Sequence, residues 1–263
     1  MPMGKGAYRD MAQRRTVILG AGNVATHLAS ALDGVVQVYS HTLANAEVLA
    51  NRIGCKATNS VEELEEADVY IVSLKDDAIA EIAEKVPERC LDALWVHTSG
   101  SVDKSVFASR FHHYGVLYPL QTFSKDVEIR MNDVPLFIEG ATEADTKEIR
   151  ELAATISGKV YEADSQLRMQ MHIAAVLACN YSNYLYTLAD EVLAINGLPF
   201  NVLRPLLEET LRKACVNGPG QSQTGPAARG DRSIIEKHLG MLNGESREIY
   251  RILSNAILKR YNP

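Results

Sequence analysis

The sequence predicts an α/β fold: a Rossmann-type domain with a mainly parallel sheet, followed by an all-helical C-terminal domain. Three observations support this prediction. Short β-branched segments alternate with helical patterns as far as Asp164, a glycine-rich turn (GAGNVA) separates the first strand from the first helix, and no strand pattern follows Asp164. Strands that alternate with helices indicate βαβ units with right-handed crossovers.

The elements of the first domain, placed at residues 15–163, follow from these patterns in order. The predicted strands are Thr16–Gly20, Val35–Ser40, Cys55–Thr58, Asp68–Leu74, Ala93–Gly100, Tyr114–Leu120, Val134–Gly140 and Lys159–Asp164. The predicted helices are Asn23–Leu32, Leu43–Ile53, one that starts at a capping box at Ser60–Glu63, Asp77–Val86 and Glu143–Ile156.

The second domain, placed at residues 164–263, reads as helical throughout. Ser165–Asn196 predicts one long helix that Gly197 and Pro199 close. Three further helices are expected at Leu203–Val216, Ser233–Leu242 and Glu245–Tyr261. The segment Asn217–Ser233, with four glycines and two prolines, is a loop longer than most connections within a compact domain, and such loops are often functional.

Composition excludes several classes of protein. The net charge is −6, which argues against a nucleic-acid partner, and no apolar run approaches the roughly 20 residues that a membrane span requires. The N-terminal residues lack the apolar segment of a secretory signal, and the four cysteines are scattered, so we expect a cytoplasmic protein with reduced thiols. The seven histidines form no metal-binding motif, so no metal is predicted.

The glycine-rich turn predicts a dinucleotide site because a strand precedes it and a helix follows it. Gly20 permits the tight turn, Gly22 lets the backbone approach a pyrophosphate, and Ala25 occupies the position of the third glycine. The N-terminus of the next helix then offers free N–H groups and a positive dipole end to the phosphates. The alternative is a tight turn that binds no ligand.

The end of the second strand favours NADP over NAD. NAD-binding proteins place a carboxylate there to bind the ribose 2′-hydroxyl, whereas this chain has Ser40, His41 and Thr42, which could donate to a 2′-phosphate. No arginine stands in this segment, although Arg52 and Lys56 follow it. The alternative is that these residues only cap the next helix.

Ligands of open parallel sheets bind beyond the carboxyl ends of the strands. In this sequence those ends carry SLKDD (73–77), HTSGS (97–101) and YPLQTF (118–123). We expect Leu74 and Lys75 to line the adenosine side, and Thr98, Ser99 and Gly100 to face the nicotinamide and the substrate. The alternative is ordinary turn chemistry, which also favours Ser, Asp and Gly.

Four segments together carry a family resemblance: ILGAGNVATHLASAL, VHTSGS, YPLQTF and TGPAARGD…HL. They resemble a family that joins a Rossmann-like NADP-binding domain to a C-terminal helical domain of unknown function. This family is similar to pyrroline-5-carboxylate reductase, ketopantoate reductase and the deazaflavin-dependent NADP reductases. The resemblance covers the chain from Arg15 onward. It implies a dinucleotide site formed by Gly20, Gly22, Asn23 and Val24, and a homodimer through the helical domain.

The resemblance also directs attention to the first long helix. In the relatives that act on hydroxyacids, this helix carries a catalytic lysine four residues before an asparagine. Asn180 matches the asparagine, but Val176 replaces the lysine and the helix contains no lysine. His172 lies within roughly 80° of Asn180 around an α-helix and is a candidate general acid. The alternative is that His172 lies on a satisfied helix face.

Arg229 in the long loop is the second candidate for substrate binding. A guanidinium can hold a carboxylate or phosphate in a bidentate manner. Alternatively, Arg229 pairs with Asp231 and shapes the turn, with Ser233 and Glu236 forming a capping box for the next helix.

These observations predict an NADP(H)-dependent oxidoreductase that acts on a small carbonyl or imine compound bound between the two domains. His172 or Ser99 would handle the proton, and Asn180 or Arg229 would position the substrate. The missing lysine motivates the alternative of a non-catalytic NADP-binding sensor or partner-binding module. Methyl transfer is a weaker option, because the turn is of the pyrophosphate type and the second strand lacks an acidic end.

Overall fold

The computed structural model describes residues 14–262, so most of the polar N-terminal segment lies outside the described residues. The chain divides into two compact units, Met1–Cys179 and Asn180–Pro263. The helix that begins at Ser165 belongs to the first of them. The predicted boundary at residues 163/164 is not tested by this division and stays a prediction.

The first unit is built on one eight-stranded sheet. Its strands are β1 (Thr16–Leu19), β2 (Val35–Tyr39), β3 (Lys56–Thr58), β4 (Val69–Val72), β5 (Leu94–His97), β6 (His113–Pro119), β7 (Leu136–Gly140) and β8 (Val160–Glu162). Their order is β3-β2-β1-β4-β5-β6-β7-β8, and every neighbouring pair is parallel except β6–β7. This confirms the predicted α/β fold with a mainly parallel sheet.

The helices of this unit are α1 (Asn23–Ala31), α2 (Leu43–Ile53), α3 (Asp76–Lys85), α4 (Glu143–Ile156) and α5 (Ser165–Ala175). Short 3-10 helices occupy Glu88–Cys90, Lys104–Phe107 and Met131–Asp133. The central strands are fully buried and alternate their side chains between two apolar clusters: Ile18 belongs to one, whereas Val17 and Leu19 belong to the other. Burial on both sides explains why these strands are continuous apolar runs in the sequence.

The helix expected to start at Ser60–Glu63 is wrong: residues 59–68 form a loop. The Gln37 side chain, buried on β2, donates to the Glu63 carbonyl (3.0 Å) and accepts from the Glu65 N–H (2.8 Å). The Tyr70 hydroxyl donates to the Glu65 carbonyl (2.7 Å). These distant side chains satisfy backbone groups that a helix would otherwise satisfy internally.

The long helix predicted at Ser165–Asn196 is one run of helical backbone, but not one α-helix. A π-helix at Val176–Tyr181 separates α5 from α6 (Ser182–Ala194). A π turn contains one residue more than an α turn, so the angle of 80° expected between His172 and Asn180 does not apply. Single π turns within α-helices are frequent at functional sites.

The second unit continues with α7 (Arg204–Asn217), α8 (Pro226–Arg229), α9 (Arg232–Met241) and α10 (Gly244–Tyr261), and a 3-10 helix at Phe200–Leu203 precedes α7. The short α8 lies within the segment expected to be a loop. The capping box predicted at Ser233 and Glu236 is wrong, because α9 begins earlier, with Asp231 at its N-cap and no side-chain cap hydrogen bond. Within residues 14–262, no helix has both the length and the apolarity of a membrane span.

Candidate functional site

The turn after β1 requires glycine at its first position. Gly20 has a φ of +129°, and a Cβ there would lie 2.1 Å from the Ser73 carbonyl oxygen at the end of β4. The Gly20 N–H donates to the Tyr39 carbonyl at the end of β2 (2.7 Å). Gly20 therefore holds the carboxyl ends of three neighbouring strands close together.

Gly22 differs from Gly20 because it borders open space. It has an ordinary φ of −83°, it is exposed, and no heavy atom would lie within 4 Å of a Cβ at this position. It is the N-cap of α1 and provides no side-chain cap, so the first N–H groups of α1 face this space. An uncapped helix N-terminus beside open room fits the pyrophosphate of a dinucleotide.

The backbone from Gly20 to Val24, here called the glycine cradle, ends in two residues that a ligand could reach. Asn23 is exposed and Val24 is half-buried, and the Asn23 side-chain amide donates to the Phe123 carbonyl in the loop after β6 (2.9 Å). Ala25 is fully buried, as expected for the position of closest packing between α1 and the sheet.

The end of β2 carries Ser40, His41 and Thr42, of which the last two are exposed. Thr42 is the N-cap of α2, but its side chain makes no cap hydrogen bond. Of the two cations that follow this segment in the sequence, Lys56 pairs with Glu65 (2.6 Å), whereas Arg52 is exposed and lines a cavity with His27. The side chains at this strand end that could contact a 2′-phosphate are those of Ser40, His41 and Thr42.

The ends of β4 and β5 are joined by hydroxyl groups. Thr98 donates to Ser73 (3.2 Å). Ser99 is buried, and its hydroxyl accepts from the N–H groups of Ser101 and Val102 (3.1 Å each). Leu74 is half-buried and Lys75, the N-cap of α3, is exposed. The Ser99 hydroxyl thus shapes the loop, and a catalytic role for it stays a prediction.

His172 lies against the end of β6. Its Nδ1 is 3.1 Å from the hydroxyl of Tyr118, and the two rings meet edge to face with centroids 6.0 Å apart. Gly100 lies directly beside both, since a Cβ there would be 2.6 Å from His172 Nδ1 and 2.9 Å from Tyr118 Cζ. The structure therefore brings the predicted residues His172 and Gly100 together within the first unit.

Tyr118 is the residue that sequence reasoning missed. The segment YPLQTF marked this strand end, but nothing in it distinguished Tyr118 from a core tyrosine. Its side chain is 8% exposed, and burial raises its pKa, against a smaller opposing effect of the Arg168 charge. The hydroxyl consequently keeps its proton at neutral pH and serves as a hydrogen-bonding partner of His172.

His97, at the end of β5, is fully buried. Its Nδ1 accepts from the Ser99 N–H (3.2 Å), and its ring meets Phe107 edge to face. Burial, with the Arg168 charge as a smaller cause, lowers the pKa of His97 to about 4. His97 is therefore neutral at physiological pH and acts as a structural residue of the loop.

We expect His97 to make the protein sensitive to acid. In the unfolded chain its pKa is near 6.5, so between pH 6.5 and pH 4 the unfolded state binds the proton and the folded state does not. The contribution of His97 to the free energy of unfolding is fully present above pH 6.5, and it falls by roughly 3 kcal/mol as the pH decreases to about 4 and below. Chemical denaturation of the wild type and of His97→Asn, whose amide can still accept from Ser99, measures this. An equal loss of stability in both proteins between pH 7 and pH 4 would contradict it.

The predicted residues of the second unit have different surroundings. Asn180 is exposed in the π-helix. Arg229 donates to the Asp231 carboxylate from Nε (3.0 Å), and its Nη2 lies 3.0 Å from the same oxygen, so it forms the ion pair considered as the structural alternative. His238 Nδ1 lies 2.8 Å from the Tyr250 hydroxyl, beside an apolar groove of about 640 Å³. Roles of Asn180 and Arg229 toward a substrate stay predictions.

Among residues 14–262, no group of three or more His, Cys, Asp or Glu side chains is arranged to hold a metal ion.

Comparison with known proteins relates this architecture to oxidoreductases. Residues 15–96 match the family described as NADP oxidoreductase, coenzyme F420-dependent, and residues 134–257 match a domain of unknown function, DUF2520. The crystal structure titled "putative NADP oxidoreductase BF3122", from Bacteroides fragilis, is 42% identical to this chain. The match covers 95% of this chain and 100% of that one, with a TM-score of 0.89.

More distant structures share the fold. A reductive aminase from Aspergillus terreus, in complex with NADPH and ethyl-5-oxohexanoate, has 14% identity and a TM-score of 0.72 over 94% of each chain. An imine reductase from Streptomyces aurantiacus has 17% identity and a TM-score of 0.70 over 93% of each chain. No curated protein matches the chain significantly.

Proposed function

We propose that this protein transfers hydride between NADP(H) and a small carbonyl or imine compound. The chain belongs to the NADP oxidoreductase family that includes BF3122, and it carries a C-terminal DUF2520 domain. Family membership agrees with the resemblance found in the sequence. The observation that carries the proposal is the contact of His172, on α5, with Tyr118 at the end of β6 and with Gly100 after β5, in the same sheet whose β1 leads into the open glycine turn.

The chain offers a defined set of residues to the dinucleotide. The backbone from Gly20 to Val24 would hold the pyrophosphate at the start of α1. The remaining contacts would come from the neighbouring strand ends: Ser40, His41 and Thr42 at the 2′-phosphate, Leu74 and Lys75 along the adenosine side, and Thr98, Ser99 and Gly100 toward the nicotinamide. When bound, the reduced nicotinamide supplies the hydride.

His172 would supply the proton. Reduction adds hydride to the carbonyl or imine carbon and a proton to its oxygen or nitrogen. The imidazolium form of His172 can give that proton and is left as a neutral ring. Because Nδ1 lies against Tyr118, the proton would leave from Nε2, and the Nδ1–H would donate to the Tyr118 hydroxyl oxygen both before and after the transfer. Asn180 remains our candidate for positioning the substrate.

Consumption of NADPH tests the reaction. The purified protein should oxidise NADPH in the presence of a member of a panel of cyclic imines, small ketones and 2-ketoacids, followed at the nicotinamide absorbance. Tight NADPH binding with no turnover on any class in the panel would instead favour the non-catalytic sensor.

Substitution of Ser40 by Asp tests the cofactor preference. A carboxylate at the end of β2 would repel the 2′-phosphate and accept from a free 2′-hydroxyl. We expect the Kd for NADPH to rise about tenfold or more while the Kd for NADH changes far less, as measured by fluorescence titration. Ser40→Asn has a similar shape without charge and serves as the control. An equal change for both cofactors would contradict the 2′-phosphate assignment.

We further propose a homodimer through the helical domain. The second unit buries few apolar residues; its core cluster consists of Ala227, Ile235, Leu239 and Leu258. Helix α7 lies outside this cluster: none of its residues is buried, and its Leu206 and Leu211 are 63% and 66% exposed. Apolar surface of this extent marks an interaction site, and a second copy of the chain would cover it symmetrically.

Light scattering during gel filtration tests the dimer. We expect the wild type to elute as a dimer and Leu211→Glu to shift toward the monomer, because a charge would be buried in the contact. Val48 on α2 is 73% exposed in the first unit, so Val48→Glu is the matched control and should remain dimeric. A wild-type monomer at micromolar concentration would contradict the proposal.

A further inference from the structure

A buried arginine precedes His172 by four residues on α5. Arg168 is 1% exposed and is among the largest fully buried side chains of the described residues. No step of the proposed reaction uses it. A buried charge is costly unless it is paired and hydrogen-bonded, so its contacts indicate why this position carries an arginine.

The Arg168 guanidinium joins α5 to two other parts of the first unit. It donates to the Glu139 carboxylate on β7 (2.6 Å) through Nη1. Through Nη2 it donates to the Val102 carbonyl in the loop after β5, and to the Ser165 hydroxyl (3.2 Å). A planar guanidinium can reach these groups together, which a lysine ammonium cannot do with the same geometry.

Glu139 is arranged to stay ionised for this contact. Burial by itself would raise its pKa, but hydrogen bonds from Ser165 (2.7 Å), Arg168 and Lys104 (3.0 Å) bring the pKa of Glu139 below its ordinary value. The ion pair is therefore intact at neutral pH, and the first turn of α5 is fixed to β7.

The loop after β5 contacts both Arg168 and His172. Val102, which accepts from Arg168, is two residues after Gly100, which lies beside His172 and Tyr118. Residues four apart on an α-helix lie on the same face, so Arg168 and His172 both point toward this loop. The space at Gly100 is too small for a Cβ, so a small shift of α5 would change the His172–Tyr118 contact.

We propose that Arg168 is a positioning residue that holds α5 so that the His172 ring stays against Tyr118 and Gly100. This inference rests on the proposed function for its kinetic consequence, but the placement of His172 can be measured without substrate or cofactor. Arg168 acts through the helix and through the loop after β5, and it is distinct from the residues proposed to contact the dinucleotide.

The test compares three variants. Arg168→Met removes the guanidinium and keeps much of the apolar side chain. Arg168→Lys keeps the positive charge but lacks the planar guanidinium with its two donor nitrogens. Arg110→Met is the matched control, because Arg110 donates to the backbone carbonyls of Ala83, Glu84 and Val86 in another part of the first unit. Two readouts are needed: the rate at which diethylpyrocarbonate modifies His172 in the cofactor-free protein, mapped by mass spectrometry, and kcat with the KM for NADPH.

We expect Arg168→Met to raise the rate of His172 modification several-fold relative to that of exposed His112. Its kcat should fall about tenfold or more with little change in the KM for NADPH, and Arg168→Lys should lie between it and the wild type. Arg110→Met should leave both readouts unchanged. Unchanged His172 reactivity in Arg168→Met, or an equal increase in Arg110→Met, would overturn the proposal. If no substrate is found, the modification rates still decide it, so its failure is distinguishable from that of the proposed function.

Discussion

Replacement of His172 by Ala is expected to lower kcat by about 100-fold or more and to leave the Kd for NADPH unchanged. The substitution removes the proton donor, whereas the glycine cradle and the ends of β2 and β4 stay intact. Tyr118→Phe removes the hydroxyl that lies 3.1 Å from His172 Nδ1 and should lower kcat by about tenfold, because the ring loses its support but not its proton.

Steady-state kinetics and NADPH fluorescence titration measure both effects. His112 is an exposed histidine that pairs with Asp92 (2.9 Å), so His112→Ala is the control and should keep the wild-type kcat. Retention of activity within about twofold in His172→Ala would show that the imidazole is not the acid. A parallel loss of NADPH binding and thermal stability would assign His172 to the fold rather than to the reaction.

The second large effect is expected at the glycine turn, where Gly22 leaves room for a ligand and Gly20 is required by the backbone conformation. At Gly22 the backbone is ordinary and the space is open, so Gly22→Val should fold with a Tm near that of the wild type but raise the Kd for NADPH by about 100-fold. At Gly20 the φ of +129° and the nearby Ser73 carbonyl exclude a side chain, so Gly20→Ala should lower the Tm as well.

Thermal unfolding and NADPH titration, performed on both variants, separate these effects. Gly240 lies in α9, and a Cβ at this position would have no heavy atom within 4 Å, so Gly240→Ala is the control: it should leave the Kd for NADPH unchanged and should not lower the Tm, because alanine favours a helix over glycine. Wild-type affinity for NADPH in Gly22→Val would contradict the assignment of the cradle to the pyrophosphate.

The sequence predicted the sheet well because its strands are marked by local patterns. All eight strands overlap the predicted segments. In β1, β4 and β5 the pattern is a continuous apolar run because these strands are buried on both faces of the sheet, whereas the edge strands β3 and β8 are partly exposed and less apolar. The helix predicted to start at Ser60 is absent, although its residues match a capping box. The buried side chains of Gln37 and Tyr70 bind the backbone of this segment instead, and those contacts depend on the assembled sheet, so local sequence could not indicate them.

The candidate site was predictable in part, for the same reason. The glycine turn and the strand ends are local signals, and they identified Gly20, Gly22 and the Gly100 loop. The pairing of His172 with Tyr118 joins residues 54 positions apart, and no spacing rule within one element could indicate it. The π-helix at Val176–Tyr181 likewise changes the helical register after His172 without a marker in the sequence.

The central claim is that the first domain binds NADP(H), and a side-by-side titration of the wild-type protein with NADPH and NADH tests it most directly. We expect saturable binding of NADPH, with NADH at least about tenfold weaker, because the end of β2 presents Ser40, His41 and Thr42 and no carboxylate. Absence of saturable binding for either dinucleotide would contradict this claim and leave the glycine turn as a structural feature alone.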